Sequence, residues 1–228
     1  MARRDVADAV RAALAAHGTL YAWAAAQPDR TAFTGRGAAY GVTLGGTAAV
    51  VRHARRGGLL GPLLGDRYVG RPRLFRELAW SVRLAGAGIP TPVLLAGAWH
   101  RSGLVHRADV ATVRIEGSDL ATLFFGGATP AAPGRTEVLR GVGRMVRRLH
   151  RAGFVHPDLQ LRNVLVGGTP PRAWLLDVES CRTAAGAADH ARNLRRFYRS
   201  WEKWNRLRGP RLTAADRAAF EAGYGEGA

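Results

Sequence analysis

The stretch Phe154 to Glu179, FVHPDLQLRNVLVGGTPPRAWLLDVE, constrains the fold of this chain more than any other. His156, Asp158 and Asn163 fall in a polar loop flanked by apolar runs. Val164-Leu165-Val166 reads as a short strand, Gly167 to Arg172 as a turn, and Trp174-Leu175-Leu176 as a second strand ending at Asp177. Such a hairpin brings the side chains of Asp158, Asn163 and Asp177 towards one place. Phosphoryl transfer needs that set: a carboxylate to orient a hydroxyl and take its proton, and an amide plus a second carboxylate to hold magnesium. Taken singly, each residue favours the plainer reading: Asp158 caps a turn, Asn163 holds a loop and Asp177 ends a strand. Their joint spacing favours the chemical reading. His156 is expected to pack and to hydrogen-bond the backbone.

The pattern H-x-D-x-x-x-x-N, followed by an Asp closing the next apolar run, resembles the catalytic signature of protein-kinase-like enzymes. It implies an α+β, two-lobed kinase-like fold with a small antiparallel β-rich N-lobe and a mostly helical C-lobe. The chain then reads as a single domain over 1–228, with the N-lobe at 19–116 and the C-lobe at 117–228.

Other features narrow the field. At 228 residues the chain can bury a sizeable core. Cys181 is the only cysteine, which excludes an internal disulfide. The N-terminus, MARRDVADAVRAALAAHG, carries Asp5 and Asp8 and reads as an amphipathic helix over 2–17, not as a signal peptide. No apolar run approaches the ~20 residues that span a bilayer. The formal charge is +17, and Lys203 is the only lysine. Such a charge attracts nucleic acid, an anionic membrane surface or a phosphorylated substrate. No nucleic-acid-binding motif accompanies it, so no specific nucleic acid is expected.

Along the N-terminal half, Gly35, Gly37 and Gly41 lie between two short β-rich runs, where backbone N–H groups can cover phosphates. Gly45-Gly46 reads as a hairpin turn, and TAAVVRH (47–53) as the next strand. Arg52 occupies the slot in which kinases place a phosphate-pairing cation; a solvated edge-strand arginine fits the local sequence equally well. A helix begins near Pro72, and Glu77 is its only acid, hence the natural partner for Arg52. Val93–Trp99 and Leu104–Ile115 read as extended segments, with a hinge at Glu116-Gly117-Ser118. Glu137–Arg151 is an amphipathic helix with Leu139, Val142, Val146 and Leu149 inside. Asp189–Arg208 is another: Leu194, Phe197, Tyr198, Trp201 and Trp204 share one face, and Arg192, Arg195, Arg196, Arg199, Lys203 and Arg206 the opposite one. Those basic residues are read as solvated or as facing an anionic lipid plane.

Longer segments carry a closer resemblance. VVRHARRGGLLGPLLGDRYVG, FRELAWSVRLAGAGIPTPVLLAG and GLVHRADVATVRIEG, then HPDLQLRNVLV and WLLDVE, are similar to the bacterial lipopolysaccharide kinase group, most of all to its 3-deoxy-D-manno-octulosonic acid (Kdo) kinases. The likeness spans about residues 32–208. It implies an ATP-dependent phosphotransferase with Asp158 as catalytic residue, Asn163 and Asp177 as magnesium (Mg2+) ligands, Arg52 and Glu77 as the phosphate-positioning pair, and the loop of Gly35 and Gly37 over ATP. It also implies transfer to the 4-hydroxyl of Kdo on a lipid A precursor, by a cytoplasmic protein peripheral on the inner membrane. Three features depart from the wider kinase pattern: Asp-Val-Glu replaces Asp-Phe-Gly, Gln160 stands where protein kinases carry lysine, and the hinge reads Thr-Val-Arg-Ile. A kinase of another acceptor, or a kinase-like binding module without activity, are the alternatives.

Overall fold

Thr47–His53 alternates small and β-branched residues across two faces. It forms the middle of a five-stranded antiparallel sheet in the computed structural model, which describes residues 1–33, 38–53, 74–102, 105–127, 134–168 and 170–226. The sheet contains β1 (Thr31–Phe33), β2 (Ala39–Leu44), β3 (Thr47–His53), β4 (Leu94–Ser102) and β5 (Val105–Val113), in the order β1-β2-β3-β5-β4. The β2–β3 turn is Gly45-Gly46, with φ of 54° and 77°. Positive φ at both central residues is what a tight hairpin matching the twist of its strands requires, and only glycine adopts it without strain.

One face of this sheet is covered by α1 (Ala7–His17) and α2 (Leu20–Ala26), whose Val10, Ala13, Leu20 and Ala24 join Leu44, Val51 and Leu95 in one apolar cluster. A helix over 2–17 was expected; α1 starts at Ala7 instead, after a 3-10 turn at Arg4–Val6. The cause is a competing use of the backbone. Arg3 N–H donates to Leu95 O at 2.8 Å and Gly97 N–H to Met1 O at 2.9 Å, so the first residues extend along β4.

The chain divides into two compact units, residues 1–79 with 92–114 and residues 80–91 with 115–228. The helix α3 (Leu74–Gly86) contributes to both. The second unit is mostly helical and contains α4 (Leu120–Phe125), α5 (Gly134–Arg151), α6 (Ala187–Arg208) and α7 (Ala214–Gly225). Leu139, Val142, Val146 and Leu149 of α5 are fully buried, as their spacing predicts. So are Phe197 of α6 and Phe220 of α7, whose rings stack at 4.9 Å. The expected α6 apolar face holds: Trp201 is buried, and Leu194, Tyr198 and Trp204 pack against the same core.

Gly117-Ser118, expected as hinge, belongs to a strand, β6 (Gly117–Asp119). It pairs with β8 (Val164–Gly167), the strand after the short β7 (Phe154–Val155), and β8 pairs in turn with β9 (Arg172–Leu175). The pairing is possible because Gly117 faces Gly167. A Cβ on Gly117 would lie 2.2 Å from Val166 O, and one on Gly167 would lie 2.1 Å from Glu116 O. Asp119 then caps α4, its Oδ1 accepting from Ala121 N–H at 2.9 Å and Thr122 N–H at 3.1 Å. The hairpin expected around Gly167–Arg172 is present as β8–β9, and the helix expected over 189–208 starts at Ala187.

Candidate active site

The loop that carries Asp158 is gripped by its backbone. Asn193 on α6 is buried, and its amide holds the His156 peptide from both sides: Oδ1 accepts from His156 N–H at 3.2 Å and Nδ2 donates to His156 O at 2.5 Å. The His156 ring is fully buried, and its Nε2 lies 3.0 Å from Leu176 O and 3.1 Å from Asp177 O. Two carbonyl acceptors require a proton on Nε2. Burial holds the imidazole pKa below its ordinary value, so the ring is neutral. His156 therefore ties the loop to the end of the hairpin, the structural role its position predicts.

That tie fixes the backbone at Asp177. Its φ of 56° and ψ of 44° are left-handed, and among the described residues it is the only non-glycine with positive φ. Such a conformation is retained only where surrounding contacts hold it, and it concentrates at functional sites. The residue before it is pinned to the loop as well, since Leu176 N–H donates to Asn163 O at 2.9 Å. Val178, in the slot where the wider kinase pattern has phenylalanine, is buried in the core beside Cys181. A smaller apolar side chain anchors the same turn.

Asp158 is held at both oxygens. Gln160 Nε2 donates to Oδ2 at 2.9 Å, and Asn163 Nδ2 reaches Oδ2 at 3.3 Å and Asp158 O at 2.8 Å. Arg196 on α6 donates to Oδ1 at 2.7 Å and to Gln160 Oε1 at 3.2 Å. The sequence placed Arg196 on a basic face turned to solvent or lipid; it turns to the catalytic loop instead. Asn193 and Arg196 are the site residues that sequence reasoning missed. Their three-residue separation on a helix is a signal, but only once the helix is known to lie against the loop.

Asn163 spends its amide nitrogen on Asp158, which leaves Oδ1 without a protein donor among the described residues. Asn163 Oδ1 and the Asp177 carboxylate are a chemical set of hard oxygen donors, carried on segments tied by the Leu176 N–H to Asn163 O bond. Magnesium fits such a set, because it takes one or two protein ligands and completes its shell with phosphate and water. No cage of three or more His, Cys, Asp or Glu exists among the described residues.

In the first unit, Arg52 Nη2 lies 2.6 Å from Glu77 Oε1. β3 supplies the arginine and α3 the glutamate. The Glu77 side chain is 5% exposed and that of Arg52 29%, so the pair is largely removed from water. Arg52 thus makes the expected pair with Glu77, and its strand is the middle one of the sheet rather than an edge. Gly35 and Gly37 lie outside the described residues, as does the segment from Ala54 to Arg73.

An antiparallel β unit joined to a helical unit that bears the H-x-D…N…D loop and hairpin is a protein-kinase-like fold. The profile of the Lipopolysaccharide kinase (Kdo/WaaP) family matches residues 23–224. Among curated proteins, the chain is 34% identical over 195 residues to the 3-deoxy-D-manno-octulosonic acid kinase of Photobacterium profundum, covering 83% of this chain and 80% of that one. It is 35% identical over 191 residues to the protein of the same name from Actinobacillus succinogenes, at 80% and 78% coverage, and 32% identical over 175 residues to that of Vibrio cholerae, at 75% and 72%. The chain belongs to the Kdo/WaaP lipopolysaccharide kinase family, phosphotransferases that act on a hydroxyl group.

Proposed function

We propose that the chain transfers the γ-phosphoryl group of ATP to the 4-hydroxyl of Kdo on a lipid A precursor, a step of lipopolysaccharide core biosynthesis. Support for the acceptor comes from relatives named as Kdo kinases, each matched over most of its length. The observation that carries the chemistry is the Asp158 carboxylate, oriented by Arg196, Gln160 and Asn163 on a loop clamped by Asn193.

In this reading the two compact units are the two lobes of one kinase-like domain. Asp158 orients the sugar hydroxyl and accepts its proton as the oxygen attacks phosphorus in line. Asn163 and Asp177 would hold Mg2+, which would supply positive charge to the phosphates. Arg52, braced by Glu77, pairs the nucleotide phosphates with a permanent charge and a two-pronged donor. Catalysis then comes from position and charge, without a covalent intermediate. No helix among the described residues is long and apolar enough to cross a membrane. Peripheral binding to the anionic inner membrane through exposed Arg195, Lys203 and Arg206 would bring the protein to a lipid-anchored acceptor.

The test is phosphate transfer from labelled ATP to Kdo-bearing lipid A precursor, with Kdo-free precursor alongside. Label should enter only the first. Label in both, or in neither, overturns the assignment.

A further inference from the structure

The second unit contains a cavity of about 220 Å3 against the N-terminal half of α6. Its lining residues include four arginines, Arg182, Arg192, Arg196 and Arg199, and a single acid, Asp189. That carboxylate is buried and fully engaged. It accepts two bonds of 2.8 Å from Arg182, one of 2.7 Å from the Ala185 N–H, and one from Arg192. Arg182 first, then the Ala185 N–H and Arg192, hold the Asp189 carboxyl far below the usual carboxylate range. Arg196 extends the cavity towards the catalytic loop through its bond to Asp158. Arg199 has no hydrogen-bonding or ionic partner among the described residues. Asp189 and Asp158 offset two of the four arginine charges, so the surroundings of the cavity stay net positive and favour an anion, and arginine forks match a carboxylate or a phosphate in shape as well as charge.

We infer that this cavity receives the carboxylate of the acceptor sugar. The inference rests on the acceptor proposed above, which is by name a sugar acid. Two observations favour the sugar's own carboxylate over a phosphate of the lipid. The cavity is smaller than the ~300 Å3 at which pockets for drug-sized molecules begin, so it holds one acidic group with part of its ring. Arg196 also links it directly to Asp158, so the bound group belongs on the sugar that carries the reacting hydroxyl.

Equilibrium binding of free Kdo and of its methyl ester to the full chain, without ATP, tests this. The wild type should bind the acid about tenfold or more tightly than the ester, the worth of a charge-assisted hydrogen bond. Arg199→Gln and Arg192→Gln should each lose about tenfold towards the acid and nothing towards the ester, with Arg199→Gln melting where the wild type melts. Equal binding of acid and ester, or wild-type affinity for the acid in both variants, overturns the inference. So does an affinity for the lipid precursor that falls on removal of its phosphates but not on esterification. A chain that phosphorylates acid and ester equally well keeps the proposed activity and loses the carboxylate pocket. One that shows the binding differences but transfers no phosphate keeps the pocket and loses the activity.

Discussion

Arg196 and Asp158, 38 residues apart in sequence, meet at 2.7 Å, and the contact joins the longest helix of the second unit to the catalytic loop. Arg196→Ala should leave Asp158 without its orienting partner on Oδ1. If Arg196 acts through Asp158, kcat falls by about 10–100-fold with little change in the KM for ATP, in line with the loss of one charge-assisted bond. Arg196→Lys restores part of it. Steady-state kinetics with ATP and acceptor varied separately read the split.

Glu77→Gln removes the charge that braces Arg52. Deleting one partner of a buried ion pair costs about 3–5 kcal/mol, and the partial exposure of Arg52 puts this pair at or below the lower end. The expected outcome is a raised KM for ATP and a melting temperature lower by several degrees. Unchanged ATP kinetics in a folded Glu77→Gln protein would refute the positioning role.

A pH effect on stability follows from His150. Its Nε2–H donates to Asn193 Oδ1 at 3.0 Å and its Nδ1 accepts from Tyr224 O–H at 2.8 Å, which is a neutral ring. Burial pushes its pKa down to about 4 from an ordinary 6.5, and nearby His190 and Arg147 act in the same direction. Between those values the unfolded chain binds a proton that the native chain refuses. His150 therefore lowers stability as pH falls from about 6.5 to about 4, by on the order of 2 kcal/mol, and has no such effect above 7. Denaturant melts across that range should show the slope, and His150→Gln should flatten it.

Cys181 is fully buried, and burial first, then the Asp177 charge, raises its thiol pKa to about 12. The native protein should react with a thiol reagent only as fast as it opens, and should become fully reactive in denaturant. Rapid labelling of folded protein would contradict the packing around the Asp177 turn.

How much of this was legible in the sequence depended on the range of the interaction. The helix α5 and the apolar face of α6 follow from local periodicity, which names Leu139, Val142, Val146 and Leu149 of α5 and Phe197 and Trp201 of α6 among the buried residues. The β8–β9 hairpin carried its own turn and apolar runs. Arg196 was misplaced because a helical wheel groups Arg192, Arg195, Arg196 and Arg199 without showing what lies opposite. Only a contact to Asp158, in another segment, separates Arg196 from the exposed Arg195. β6 was hidden for a similar reason: Gly117-Ser118-Asp119 has no alternation, and its pairing depends on Gly167, 50 residues away. The delayed start of α1 depends likewise on Leu95 and Gly97.

The central claim is that Asp158 takes the proton of an acceptor hydroxyl in ATP-dependent transfer. The measurement that bears on it most directly is single-turnover transfer of labelled γ-phosphate to Kdo-bearing lipid A precursor by wild-type protein and by Asp158→Asn, with ATP binding followed in parallel. The account predicts transfer by the wild type, a rate lower by about 10²–10⁴-fold in the variant, and similar ATP affinity in both. Transfer at the wild-type rate by Asp158→Asn, with the fold intact, would contradict it.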